Sequence, residues 1–389
     1  MRAVVIGGGV AGSASAIALA RIGAQVTVYE AYEDPAGTVG SFVSLSVNGL
    51  RALGALGVLP EVQRAGFAVE RQRMWSGRGR PLGDAPRGRR SGDPLLSVTL
   101  MRADLVRVLR EEATRSGARV ITGHRLTMGT SSGDAAVART GHPCGDPSIA
   151  GADVVVGADG IWSVTRKLLD PASPEPAYAG IYALSGVARG VAAIGSGFNM
   201  LFARRGAFIH LPAPDGTVWW AAQVAAAEPP ADVRAVGLGE LAGLFPEEPV
   251  TAVLRGATEV GAATLLHVLR PAERRQDGRT VLVGDAAHPV GAGQGASMAI
   301  EDAAALAHAL ATAGDVPTAL AEFDRVRHDR TGRLVKVAAA NRDAKTAGPL
   351  TARLRELVMP YFFGHIYERT TGWLYDHTPA PLPRAGALD

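Results

Sequence analysis

The chain has 389 residues, 47% apolar and 20% charged, enough for two or three domains with substantial buried cores. Forty basic against 37 acidic residues leave a net charge of +3, too small a surplus to argue for nucleic acid as a partner. The single cysteine, Cys144, excludes an internal disulfide and points to a reducing cytoplasm; beside His142 it lacks the further ligands of a metal site, and no metal is expected.

Residues 2–6 read as a short buried strand, and a helix follows over 11–22, ending at Gly23. Arg2 and the small apolar residues after it mimic a signal peptide, but three glycines break the run and Arg21 lies in the helix, so strand and helix are the better reading. Residues 24–30 form a second strand, completing a βαβ unit of Rossmann length. A helix is predicted over 44–57, with Leu50, Leu53 and Leu56 on one face and Gly57 as its stop. From Arg71 to Asp93 the chain is rich in Arg, Gly and Pro. That stretch is either a solvated hairpin and loop or a basic rim for a phosphorylated nicotinamide.

Helical periodicity returns over 101–116, followed by strands at 119–121 and 153–158. The pattern is β-rich over 176–269, with a hairpin of residues 208–211 and 218–220 around a Pro/Asp/Gly turn. Residues 280–284 are again a buried strand, a helix runs over 296–311, and the tail over 317–375 is mostly helical. No segment reaches the ~18 apolar residues of a membrane span.

Gly7, Gly9 and Gly12 stand between the first strand and the first helix. Gly7 permits the tight turn, Gly9 lets backbone approach a pyrophosphate, and Gly12 lets helix and strand pack closely. Phosphates then sit at the helix start, by Val10 and Ala11, where free N–H groups and the dipole favour negative charge. Glu30 ends the second strand, where a carboxylate accepts from ribose hydroxyls and repels a 2′-phosphate. This motif selects FAD or NAD over NADP and does not separate the two.

Two further motifs do. Asp159-Gly160 is followed by Ser163 and Arg166, and Gly284-Asp285 by Ala286, Ala287, His288 and Pro289, then Gly293-Gln294-Gly295 and Glu301-Asp302. With these the chain resembles the class A FAD-dependent monooxygenases of the p-hydroxybenzoate hydroxylase fold, within them the salicylate and urate hydroxylase and zeaxanthin epoxidase-like branch. The resemblance runs from residue 1 to about 330, and more faintly through the tail.

It implies an α/β fold: a Rossmann-type FAD-binding domain, discontinuous over 1–72, 95–175 and 270–315, an inserted mixed or antiparallel β-sheet substrate domain over 73–94 and 176–269, and a C-terminal helical segment over 316–389. It implies FAD held by Gly7, Gly9, Val10, Ala11, Gly12, Glu30, Ala31, Arg102, Leu126, Asp159, Asp285, Gly293, Gln294, Gly295, Ala296 and Ser297. Arg102 suits phosphate oxygens through forked donors, and Arg166 either supports the site or makes an ordinary surface ion pair. NADH or NADPH is the implied reductant and molecular oxygen the co-substrate, acting through a flavin C4a-hydroperoxide. The partner is an aromatic or polycyclic small molecule, in secondary metabolism by composition, and the protein a cytoplasmic monomer or homodimer.

By the same analogy Phe198, Met200, Phe208, His210 and Trp220 line the substrate pocket. His210 is a base or hydrogen-bond anchor there, or else a satisfied half-buried histidine. Of Trp219 and Trp220, one belongs to the core and one faces ligand. No fixed arginine stands out on that wall, which favours a neutral substrate. Two departures from the family pattern stand out. Glu30 is followed by Ala31 and Tyr32 rather than Arg or Lys, and the 288–293 loop is short, with Pro289 directly after His288. That loop flanks the oxygen chemistry, so Pro289 is a candidate catalytic position. The alternatives are a dehydrogenase, reductase or halogenase on the same scaffold, or a redox-silent binding homologue. The Trp-x-Trp-x-Ile-Pro segment usual in halogenases is missing.

Overall fold

In the computed structural model, which describes residues 1–34, 41–132, 135–141, 148–191, 195–290, 293–343 and 349–383, three distant stretches of chain build one parallel sheet. Its strands run in the order Thr280–Leu282, Val154–Gly157, Arg2–Ile6, Gln25–Tyr29 and Arg119–Ile121. Val4, Val5, Val154 and Val156 are buried because the sheet is covered on both faces. The helix Val10–Arg21 crosses between the first two strands, and its small residues Gly12, Ala14 and Ala16 let it lie between the sheet and the helix Gly295–Thr312. Ile17, Leu50, Leu53, Leu56, Leu105 and Ile300 share one core with them.

The predicted helix over 44–57 is shorter than expected. Phe42–Leu45 pairs with Ser97–Met101 as a strand, and the helix is Val47–Ala55. His142 and Cys144 lie outside the described residues. Among the described residues, no helix is long and apolar enough to cross a membrane.

A second, eight-stranded sheet follows the path Ala257–Val260, Ala177–Ala188, Val218–Ala225, Gly206–Pro212, Phe198–Ala203, Arg71–Ser76, Pro81–Pro86, with Thr264–Val268 also paired to Ala177–Ala188. The stretch read as a solvated hairpin is therefore part of this sheet. Arg71–Ser76 pairs in parallel with Phe198–Ala203, matching Gln72 to Phe198 and Met74 to Met200.

Side-chain alternation gives this sheet two different faces. Leu201, Phe208, Trp220 and Ala222 point to an outer layer with Leu241, Phe245, Val250 and Val253, supplied by the helix Leu238–Leu244, the Phe245 that caps it and the helix Val250–Arg255. Phe208 stacks on Trp220 at 5.9 Å and 9°. Phe198, Met200, Ile209, Leu211 and Trp219 point the other way, onto Phe42, Phe67 and Val69. The helix Val316–Asp343 packs on Gly295–Thr312, and the helices Pro349–His365 and Tyr367–Tyr375 return over this inner side, bringing Phe363 and Met359 beside Met74 and Phe202.

The two adjacent tryptophans therefore answer differently to truncation. Trp220→Ala opens a cavity in the outer layer, and a loss of about 3–5 kcal/mol is expected in chemical denaturation. Trp219→Ala, at a half-buried position edged by Phe42 and Phe67, gives a clearly smaller loss.

Candidate cofactor and substrate cleft

At the nucleotide end, Gly7 has φ +103° and a Cβ there would lie 2.5 Å from the Ala158 carbonyl oxygen. At Gly12 it would lie 1.8 Å from the Gly7 oxygen, so only glycine allows the helix to start this close to the strand. Gly9 faces open space instead. Glu30 is carried in by the strand Gln25–Tyr29 and accepts from the backbone N–H of Gly8 (2.6 Å) and of Tyr32 (2.9 Å). It closes the glycine turn with lone pairs to spare for hydroxyls. Val10 and Ala11 are half-buried in the first helical turn, and Ala31 is half-buried beyond Glu30. The Leu126 side chain packs beneath the turn with Val4, Ile6 and Tyr29.

Asp159 is engaged locally. It accepts from Ser163 Oγ (2.5 Å) and from Thr165 N (2.9 Å) and Oγ1 (3.0 Å), anchoring the helix Val164–Leu169. Burial pushes its carboxyl upward against those bonds. Arg166 is no surface ion pair: at 1% exposure it donates to the carbonyls of Ile161 (2.6 Å) and Ala286 (3.1 Å), tying this segment to the Gly284 turn.

That turn is the other half of the cleft. Gly284 has φ +58° and fits against Ala11, which a Cβ would approach to 2.9 Å. The starts of the helices Val10–Arg21 and Gly295–Thr312 are thus brought together. Asp285 opens into the cleft; the enclosing protein pushes its carboxyl upward, while His288 and Arg102 act in the other direction. Arg102 is exposed at the start of the helix Arg102–Arg115. Gly293 and Gln294 lead into Gly295, Ala296 and Ser297, whose N–H groups have no intrahelical acceptor. Gln294 Nε2 donates to Ser46 Oγ (2.7 Å), and Ser297 Oγ accepts from Ser46 N (3.2 Å). Pro289 is buried; residues 291–292 of the short loop lie outside the described residues.

Beneath this turn, Asp302 accepts from Gly284 N (2.8 Å), His288 Nε2 (2.6 Å) and Arg327 Nε (2.7 Å). Glu301 accepts from Asn48 Nδ2 (2.6 Å), Arg327 Nη1 (2.7 Å) and Arg330. Burial works to raise both carboxyls. The Arg330 and Arg327 guanidiniums outweigh it and hold Glu301 down at about 2. His288 and Arg327 hold Asp302 well below the usual carboxylate range.

On the large sheet, Phe198 and Met200 are on the inner face, against Phe42, Phe67 and Val69. Phe208, His210 and Trp220 are not: pairing places them with Leu201 on the opposite face, because odd and even residues of the strand Gly206–Pro212 point apart. Ile209, Leu211 and Trp219 take their places. The expectation of a wall without arginine is also corrected. Arg87 lies over the Phe198 ring, 3.7 Å from its centroid, and donates to Gln72 Oε1 (2.9 Å). Gln72 Nε2 donates to Tyr367 Oη (2.6 Å), itself 3.2 Å from Tyr375 Oη. Among the described residues no carboxylate pairs with Arg87, and burial lowers its pKa. Gly88, the next residue, abuts Ser46, so this corner adjoins the Gln294–Ser297 turn. The sequence carried a signal for the neighbouring strand, though not for Arg87: Arg71, Arg73 and Trp75 alternate with Gln72, Met74 and Ser76.

Two helix starts brought together, a glutamate that closes the glycine turn and an exposed arginine at the cleft are the arrangement of a dinucleotide-binding protein. A family model described as "FAD binding domain" matches residues 1–338, so the chain belongs to that family, and its relatives make it an FAD-dependent monooxygenase of the flavin hydroxylase class. It is 28% identical to aurachin C monooxygenase/isomerase of Stigmatella aurantiaca over 353 residues, 85% of this chain and 86% of that one. It is 31% identical to kynurenine 3-monooxygenase of Salinispora arenicola over 369 residues, 87% and 79% of the two chains. Its fold matches that of Klebsiella pneumoniae HpxO complexed with FAD and uric acid with a TM-score of 0.82 at 23% identity, over 97% of this chain and 96% of that one.

Asp302→Asn removes one of the two carboxylates that partner the buried Arg327, and a loss of about 3–5 kcal/mol at neutral pH is expected. Because both acidic pKa values are depressed in the folded state, their contribution is full above about pH 4 and is lost as pH falls from there toward about 2. Thermal melts across that window should show a shallower acid dependence in the variant. Gly12→Ala should purify without flavin colour, since its Cβ cannot coexist with the Gly7 carbonyl.

Proposed function

We propose that the protein uses NADH or NADPH and molecular oxygen to hydroxylate an aromatic or polycyclic small molecule that carries an acidic oxygen, in the cleft between the Gly293–Ser297 turn and the inner face of the large sheet. The observation that carries this reading is Arg87 on the inner wall, paired with no carboxylate among the described residues and one residue from the contact to Ser46. The residues of the cleft fit FAD: an open glycine at position 9, two helix starts side by side, and the exposed guanidinium of Arg102. In this reading the first helix start holds the pyrophosphate, Glu30 the ribose, Arg102 a phosphate oxygen and Asp285 a ribitol hydroxyl. Asp159 and Leu126 act through the local structure they brace. The N–H groups of Gly295, Ala296 and Ser297 stabilise negative charge on the flavin pyrimidine.

When bound, FAD supplies the redox and oxygen-activating chemistry. The chain's own work is positioning and exclusion of water. Met74, Met200, Ile209 and Trp219 offer an apolar wall to a ring system. Arg87, oriented by Gln72 and Tyr367, offers its remaining donors to a carboxylate or acidic hydroxyl. Two relatives are named for 3-hydroxybenzoate and urate, both anions, which agrees with such an anchor. The division into a cofactor unit (1–72, 95–175, 270–315), a substrate unit (73–94, 176–269) and a helical tail belongs to this reading, as do a cytoplasmic location, a monomeric or dimeric state and a place in secondary metabolism.

The test is oxygen incorporation. The flavin-loaded protein is supplied with NADH or NADPH, ¹⁸O₂ and a panel of aromatic acids beside their esters or neutral analogues. An acid should accelerate nicotinamide oxidation and gain one labelled oxygen. Flavin reduction with no labelled product across the panel would sink the proposal. For the productive acid, Arg87→Met should raise the dissociation constant about 10–100-fold, read from flavin absorbance, as expected on losing hydrogen bonds to a charged group. It should change affinity for the neutral analogue little.

A further inference from the structure

The outer face of the large sheet holds a cavity of about 370 Å³, lined by Trp75, Val191, Leu201, His210, Pro249 and Ala252, with Glu248 at its rim. It is separated from the flavin cleft by the sheet itself. Leu201 and His210 point into it, whereas their neighbours Met200, Ile209 and Leu211 point to the other side. Its size is within the range of small-molecule sites.

The walls are apolar except for one group. Trp75 Nε1 already donates to Asn199 Oδ1 (3.1 Å), and Glu248 is paired with Arg255 (2.9 Å). His210 is 2% exposed, yet neither ring nitrogen has a hydrogen-bond partner among the described residues. Nδ1 is wholly enclosed, which leaves Nε2 to meet whatever fills the cavity. Buried polar atoms are nearly always partnered, so an imidazole with none asks for a ligand. Burial holds its pKa down at about 4, so the ring is neutral at physiological pH.

We propose that this cavity is a second binding site, independent of the flavin cleft, for a compact neutral alcohol or phenol whose hydroxyl bonds to His210 Nε2. A hydroxyl both donates and accepts, so it satisfies either tautomer of a neutral imidazole; an ether or hydrocarbon does not. An anion is disfavoured, since it would meet an uncharged ring and the Glu248 carboxylate at the rim. The proposal does not depend on which substrate the flavin cleft takes.

The probe is cyclohexanol, which has no aromatic ring for the flavin cleft to oxidise. It is titrated into ¹⁵N-labelled, FAD-loaded protein while the Trp75 indole N–H resonance, assigned by its loss in Trp75→Phe, and the flavin absorbance are followed. A saturable Trp75 shift with an unchanged flavin spectrum is expected. His210→Leu should raise the midpoint about fivefold, the effect of one net hydrogen bond, and Ala252→Phe, which fills the cavity, should abolish the shift. The idea is overturned by no saturable shift in the parent protein, by an unaltered midpoint in His210→Leu, by a shift that survives Ala252→Phe, or by a flavin spectrum that moves with the Trp75 resonance. Should His210→Leu not fold, Ala252→Phe decides.

Discussion

One carboxylate, Asp302, holds the cofactor side of the molecule in register. It binds the backbone of Gly284, the ring of His288 and the guanidinium of Arg327 at once. Beside it Glu301 reaches Asn48, Arg327 and Arg330. Four segments, around residues 48, 284–288, 301–302 and 327–330, therefore meet on two charges shut away from water. Such groups are costly unless fully partnered, and a fully partnered set allows little rearrangement. The Gly284 turn inherits that rigidity, and with it Asp285 gains a fixed direction into the cleft.

The same logic separates a carboxylate that braces from one that is turned to the cleft. Asp159 and Asp285 each follow a buried strand of one sheet and each stand in a glycine-containing motif. Asp159 spends its oxygens on Ser163 and Thr165, whereas Asp285 faces the cleft. A motif position alone does not distinguish them; the hydrogen-bond partners do.

Much of the cofactor half was legible because its signals are local. A short apolar run, a glycine turn, a small-residue helix and a terminal acid lie within thirty residues and need no distant partner to be understood. Strand alternation on the large sheet was legible too, and it correctly grouped Phe208 with His210. What alternation cannot carry is which of two faces meets which layer. That depends on the helices Leu238–Leu244 and Val250–Arg255 covering one side, so the Phe208 and Trp220 side meets them and the Ile209 and Trp219 side meets Phe42 and Phe67. Arg87 escaped notice for a related reason. Its setting is made by Phe198 and Tyr367, more than a hundred residues along the chain, and nothing near it in sequence sets it apart from the other arginines of that hairpin.

The two-faced sheet also bears on how such an enzyme can change over generations. Along each of its central strands, residues that pack into the outer layer alternate one for one with residues turned toward Phe42, Phe67 and Val69. Leu201 and Phe208 can stay as they are while Met200 and Ile209 vary, and Trp220 can stay while Trp219 varies. Change on the inward face is thereby uncoupled, residue by residue, from the inheritance of the outer layer.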